Sequence, residues 1–275
     1  MQESHIHRTI HLSIGTLLAV SVFLALLAVG CKKADPDAVL AQDPVYKGWH
    51  VQVYENVRVY YPDKHARTNM MPNIARNFYS AYLSTSKTLG LPAPTETLRV
   101  FYYTGWGQGM AITRHPYPYG DTGMVAQYWP PYAPGMAIAQ LVIRKWDPEP
   151  PKMKFLYHGL IALFDFQGEN FHRSTTQYNN DSKLIPLAEL AVDTVVNSNE
   201  ERWQSAEGAS FCAYFIGNYG LEAFRSLYRT DLPMDQALLQ IVGKPVDVIQ
   251  GEWLEVARLA SAENRNGAQD TTTRK

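Results

Sequence analysis

Between Trp49 and Pro62 the chain reads WHVQVYENVRVYYP. Val51 and Val53, and then Val57, Val59 and Tyr61, recur at every second position, the period of a half-buried strand, with Glu55-Asn56 between the two runs. This predicts a β-hairpin. From Asn69 to Leu89 the period lengthens: Ile74, Phe78, Ala81, Tyr82, Thr85 and Leu89 share one helical face, Asn69 stands where an N-cap belongs, and Gly90 closes the end. TLRVFYYTG and MVAQYW return to the β-branched and aromatic content that suits a sheet. Between them and on to Pro134, glycine and proline interrupt the chain too often for a long regular element. Thr104 to Pro134 is therefore expected to be loops around one strand, rich in surface aromatics.

Beyond Pro134 the apolar period is helical, over Met136 to Trp146, Lys152 to Phe166, Leu187 to Val196, Glu207 to Asn218, Leu221 to Tyr228, Met234 to Ile241 and Val246 to Ala262. Strands come first and helices second. That order predicts an α+β fold: a small mixed or antiparallel sheet with helices packed on one side, followed by a helical lobe.

With 275 residues, 46% of them hydrophobic, the chain has ample material for a core, and its formal charge of -1 with interspersed signs provides no basic face for nucleic acid. The N-terminus adds a targeting signal. A polar start with Arg8 leads into an apolar run from Ile14 to Val29, and LLAVGC ends it at Cys31. Spanning a bilayer takes about 20 apolar residues, and Gly15, Thr16 and Ser21 interrupt this run. The ending resembles the bacterial lipoprotein signal, with Ala28 where leucine is commonest. The resemblance implies cleavage before Cys31, a lipid on that cysteine as membrane anchor, and, from Lys32, the outer membrane in preference to the inner. An uncleaved N-terminal membrane helix is the alternative. The expected organisation is a signal at 1–30, a tether at 31–44, a folded domain at 45–263 and a polar tail at 264–275. The second cysteine, Cys212, sits among small and apolar residues in GASFCAYFIGNYG and is expected to be a small buried hydrophobe.

Several segments then fall in a telling order. VRVYYP, a helix ending LGLPAP, LRVFYY, two core helices, LIPLAEL, ASFCAYFIGNYGLEAFRSLYR and VIQGEWLEVA together resemble the peptidase MA-like domain of the gluzincin superfamily over most of Val51 to Ala257. Active members carry His-Glu-x-x-His on the first core helix and a Glu, usually followed by Gly, on the second. Histidines four apart share a helix face and can both ligate Zn²⁺, with the intervening Glu as general base. Laid on this chain, the resemblance puts Met136 at the first histidine, Ala137 at the base, Gln140 at the second histidine and His158, before Gly159, at the glutamate. Thioether and amide groups do not make a zinc site. None of His50, His65, His115, His158 and His172 has a histidine four residues on, and the one His-x-x-x-His, His7 to His11, lies in the signal. No metal, cofactor or catalytic residue is expected.

What the resemblance leaves is a remnant cleft. Its expected floor is Met136, Gln140, Tyr157 and His158, and its expected wall is aromatic, with Trp106 and Trp129 beside Tyr117, Tyr119 and Tyr132. The other reading of these aromatics is that they close over the sheet. Asp165, Glu169 and His172 fall in DFQGENFH, expected as a solvated loop after a helix that ends near Gly168, with a replacement metal site as the alternative. Ser210 lacks the following glycine of a nucleophile elbow, and GWGQGMAITR lacks the lysine of a phosphate loop. The expected function is that of a lipid-anchored, periplasm-facing or surface protein with an inactive metallopeptidase-like domain that binds peptide, protein or glycan. An active hydrolase built around His158 and a purely structural lipoprotein are the alternatives.

Overall fold

The alternating runs fold as the expected hairpin, but Val51 and Val53, read as part of a half-buried face, are 47% and 51% exposed, because they lie opposite Tyr60 and Arg58, on the face of β2 turned away from Val57, Val59 and Tyr61. β1 (Trp49–Tyr54) and β2 (Val57–Pro62) pair antiparallel, with Tyr54 opposite Val57 across the Glu55-Asn56 turn. Glu55 takes the left-handed conformation with φ 50°, and the Asn56 amide donates to Pro94 O at 2.9 Å and Glu96 O at 2.8 Å, fastening the turn to the entry of the next strand. The structure, a computed structural model, describes residues 43–121, 123–165, 169–192 and 198–270. The signal, Cys31 and nearly all of the tether lie outside the described residues. The chain divides into two compact units, Met1–Gly48 and Trp49–Lys275. The described part of the first is a single 3-10 turn, Pro44–Tyr46, capped by Asp43 Oδ1, which accepts from Val45 N at 2.9 Å.

The second unit is mixed α+β. β3 (Leu98–Tyr102) runs parallel to β2, β5 (Val125–Tyr128) runs parallel to β3, and the short β4 (Tyr119–Gly120) closes antiparallel on β5, giving the order β1-β2-β3-β5-β4. Parallel neighbours need crossovers. α1 (Met71–Thr88) makes the first and α2 (Trp106–Thr113) lies within the second. One face of the sheet, Val57, Val59, Tyr61, Leu98, Val100, Tyr102, Ala126 and Tyr128, enters the main core with α1 and the later helices. Phe78 of α1 stands edge-on to Tyr128 at 4.9 Å and to Tyr102 at 6.2 Å, a geometry that suits the ring quadrupoles.

Two expectations need correction here. Asn69 does not cap α1. It lies in a 3-10 turn, Thr68–Met70, and the helix starts on Met71 with a proline in its first turn, where the missing N–H costs nothing. Gly90 does end the helix, at φ 66°, with Leu91 N donating back to Ser86 O at 2.9 Å. The segment after β3 is not all loop. α2 forms despite Gly107 and Gly109 because its packing outweighs the helix propensity of glycine. A Cβ on Gly109 would stand 2.5 Å from the Trp129 ring, so the helix can lie on that indole only through a glycine.

The lobe comprises α3 (Gly135–Trp146), α4 (Lys154–Leu163), α5 (Phe171–Asn180), α6 (Leu187–Leu190), α7 (Ser198–Arg229, broken at Gly220 with φ 84°), α8 (Met234–Val242) and α9 (Val246–Asp270). α5 replaces much of the solvated loop expected around His172. Its signal is Asn170, whose side chain accepts from Arg173 N at 3.0 Å as an N-cap. The acidic, proline-rich link between α3 and α4 is pinned through Asp147. Its buried carboxylate pairs with Arg229, and Arg225 donates to Trp146 O at 2.8 Å while its guanidinium covers the Trp146 ring at 5.2 Å.

α4 and α7 cross with no side chain between them. A Cβ on Gly208 would stand 2.8 Å from Phe155 O and 3.0 Å from the Gly159 Cα, and one on Gly159 would overlap the Gly208 backbone. Gly159→Ala is expected to cost about 3 kcal/mol or more by overpacking, read as a lowered urea midpoint, whereas Gly217→Ala, whose Cβ meets nothing within 4 Å, leaves the midpoint unchanged or raises it.

Candidate functional site

Where α3 meets the sheet edge, side chains of the helix bond the backbone of β4. Asp121 N donates to Val125 O at 2.7 Å, and Gly120 lies opposite Ala126. In an antiparallel ladder this alternation turns the N–H and C=O of Gly120 away from β5, toward the open edge. α3 takes both. Gln140 Oε1 accepts from Gly120 N at 2.7 Å, and Arg144, one turn later, donates to Gly120 O and, at 3.3 Å, to Asp121 O. The absence of a side chain on Gly120 permits this: a Cβ there would stand 2.5 Å from Ala137 O and 2.7 Å from Leu141 Cγ. Met136 is half-buried against the core, Ala137 is fully buried, and Gln140 is half-buried with its carbonyl oxygen engaged.

α4 supplies the other expected residues. Tyr157 is half-buried, and burial raises the pKa of its hydroxyl, with Arg144 pulling the other way. His158, expected at the floor of the cleft, is instead exposed, and its ring stands edge-on to Tyr157 at 5.5 Å. The tryptophans lie elsewhere. Ala126 and Tyr128 face the main core, so Gln127 and Trp129 face the opposite side of the sheet. There Trp129 is fully buried beneath Gly109 and edge-on to Tyr103 at 6.1 Å, while Tyr103 donates to Gln127 Oε1 at 2.6 Å. Trp106 is 57% exposed at the start of α2. The structure thus gathers Met136, Gln140, Arg144 and Tyr157 on one side of the sheet and sets Trp129 on the other. The rings that accompany β4 are His115 against Tyr119, at 4.5 Å, and Tyr117 against Tyr132, at 6.4 Å. Burial, Tyr117 and the Asp165 carboxylate all raise the Tyr132 pKa.

Sequence reasoning missed a polar seam inside the lobe. Ser210 of α7 is fully buried. It accepts from the Trp253 indole at 2.9 Å, and His172 Nδ1 lies 2.8 Å from the same hydroxyl. This is a Ser–His contact without access for a substrate, and burial lowers the His172 pKa. One turn earlier, Glu207 is also fully buried. Its Oε1 receives only a long contact from Ile185 N, 3.4 Å, and its Oε2 has no partner among the described residues. Desolvation pushes the carboxyl up to about 8, so it is neutral at pH 7. Cys212 is likewise buried, with its thiol pKa raised by burial, which removes thiolate chemistry. Near the other end of α7 the hydroxyls of Tyr214 and Tyr219 donate to Glu252 Oε2 at 3.0 and 2.8 Å, and Lys244 Nζ lies 2.6 Å from Oε1, beside a groove of about 650 Å³. Lys244 first, then the tyrosines, hold the Glu252 carboxyl below its ordinary pKa. These four residues are scattered over 38 positions, and no local spacing connects them.

Among the described residues no group of three or more histidine, cysteine, aspartate and glutamate side chains is placed to hold a metal ion. No protein-family model matches the chain, and comparison with curated proteins finds no match.

The buried carboxyl makes stability depend on pH. Folded Glu207 retains its proton between 4.5 and about 8, where the unfolded chain has released it. Its contribution is therefore complete below 4.5 and is lost as pH rises through about 8. Glu207→Gln removes this titration and is expected to raise stability at pH 8 by about 2 kcal/mol with little gain at pH 5, measured by urea unfolding at the two pH values.

Proposed function

We propose that the chain is an exported lipoprotein, anchored in the bacterial envelope, preferentially the outer membrane, through lipid on Cys31. Its gluzincin-like domain works without catalytic zinc, by binding peptide, protein or envelope glycan beside α3 and β4. The observation that carries the zinc-free part is the use of Gln140. At the position the resemblance assigns to a metal-binding histidine, the amide oxygen is committed to the Gly120 N–H at 2.7 Å, and the neighbouring Ala137 is buried against the backbone of β4. No base is available at Ala137 to activate a water.

The same clamp limits how a ligand binds. The outward N–H and C=O of Gly120 already have partners in Gln140 and Arg144, so an added strand would have to displace both. A ligand at this edge is held instead by side chains, through stacking on the Tyr117, Tyr119 and Tyr132 rings and hydrogen bonds from Arg144.

Purified protein is expected to contain no stoichiometric zinc by elemental analysis, before or after His158→Ala. One zinc per chain, lost in that variant, would establish the hydrolase reading instead. Cys31→Ser is expected to abolish incorporation of labelled fatty acid and to move the protein from the membrane to the soluble fraction. Retention in the membrane would favour the uncleaved helix.

A further inference from the structure

The two edges of the sheet are finished differently. β4 contributes two residues and has its outward backbone groups capped by α3, as described above. Among the described residues the other edge is β1, six residues long, WHVQVY, without a lysine, arginine, aspartate, glutamate, proline or bulge in its pairing with β2, and its one histidine, His50, contacts Asp63 at 2.7 Å. Tyr54 and Val57 close a two-residue turn and form the first hydrogen-bonded pair, so Gln52 with Val59 and His50 with Tyr61 are the next. The intervening Val51 and Val53 therefore aim their N–H and C=O groups away from β2. Gln52 donates its own amide to Val53 O at 3.1 Å, and the N–H groups of both valines have no partner among the described residues. Their side chains are 47% and 51% exposed. An apolar edge of this length lacks the usual protections against strand addition.

We propose that β1 pairs antiparallel with β1 of a second copy of this chain, about a two-fold axis through Gln52, so that two sheets join into one. The strand is its own complement in this register. Val51 lies opposite Val53 of the second copy and Val53 opposite its Val51, so the outward backbone groups of both valines are satisfied and two β-branched pairs form on one face. On the other face Gln52 meets the same residue across the axis, where the amides can pair, and His50 meets Tyr54. No like charges oppose: the one ionisable side chain of β1 that could carry a positive charge, His50, lies 2.7 Å from Asp63 Oδ1 and meets the uncharged Tyr54 of the second copy. A two-fold interface needs one self-complementary patch and no second partner evolved to fit it. The inference does not depend on what binds beside β4. Confinement of lipid-anchored copies to one membrane, on the reading above, would raise their effective concentration.

The test uses the full chain purified in detergent micelles. Gln52→Cys, made together with Cys31→Ser, is expected to yield a covalent dimer under mild oxidation, since it places two thiols across the axis and the remaining cysteine, Cys212, is buried, whereas Cys31→Ser alone yields none. Val53→Pro removes an outward N–H and leaves the ladder to β2 intact. It is expected to weaken dimerisation about tenfold or more, the loss of two hydrogen bonds related by the axis, in light scattering across a dilution series. If circular dichroism shows that the proline variant is unfolded, Val53→Lys, which protects the edge with a charge, serves in its place and is expected to be monomeric. A monomer at all concentrations, absence of the Gln52→Cys crosslink, or a dimer indifferent to these edge variants would overturn the proposal. So would a monomeric chain whose β1 instead takes up an added uncharged extended peptide.

Discussion

The position of α3 depends on an absence of side chains. At its middle, Ala137 O and Leu141 press against Gly120 of β4, and at its start Gly135 lies directly on the backbone at Phe164 and Asp165, the end of α4. α4 in turn meets α7 through Gly159 and Gly208. A run of glycine contacts thus leads from the sheet edge through two helices to the longest helix of the lobe. Each closes two backbones to a separation that a methyl group would forbid, and close-packed interiors relax little around such intrusions. α3 is the shared element, and the sheet and the lobe are positioned through it.

This tight seating engages the polar groups of α3. A hydrolytic metal site needs an open coordination position and donors converging on it. Here the helix face that the resemblance would furnish with donors is pressed on the sheet edge, and its polar groups, Gln140 and Arg144, satisfy the backbone of Gly120. Polar side chains elsewhere serve the same structural end. Ser210 joins Trp253 to His172 in the lobe interior, Asp147 ties the proline link to α7, and Glu252 collects two tyrosines and a lysine. Glu207 differs from these, a buried carboxyl with one oxygen unpartnered among the described residues and held neutral by desolvation.

β2, α1, β3, β5 and the lobe helices other than α5 were legible because each follows a period that burial imposes locally: two for a strand with one buried face, 3.6 for a helix. α2 was not, since Gly107 and Gly109 read locally as breakers and only the Trp129 ring beneath them explains a helix there. α5 was obscured in the same way by the polar residues of FHRSTTQYNN, of which Thr175 alone is fully buried. Of the site, the positions of Met136, Ala137 and Gln140 on one helix at the sheet edge were foreseeable. The separation of Trp129 from them was not, because it follows from which side of β5 an odd-numbered residue faces.

Residue identity alone ruled out a histidine pair at helical spacing in the folded region, and it set the alternation that makes β1 and β2 strands, since ligand type and burial period are properties of the chain read locally. Tertiary packing settled the rest: that Gln140 bonds the edge of β4, that β1 is the outer strand among the described residues, that His158 faces outward and that Glu207 is buried. Those outcomes depend on which distant backbone lies within a few ångströms, and hydrogen bonding, register and desolvation have no meaning until that neighbour is in place.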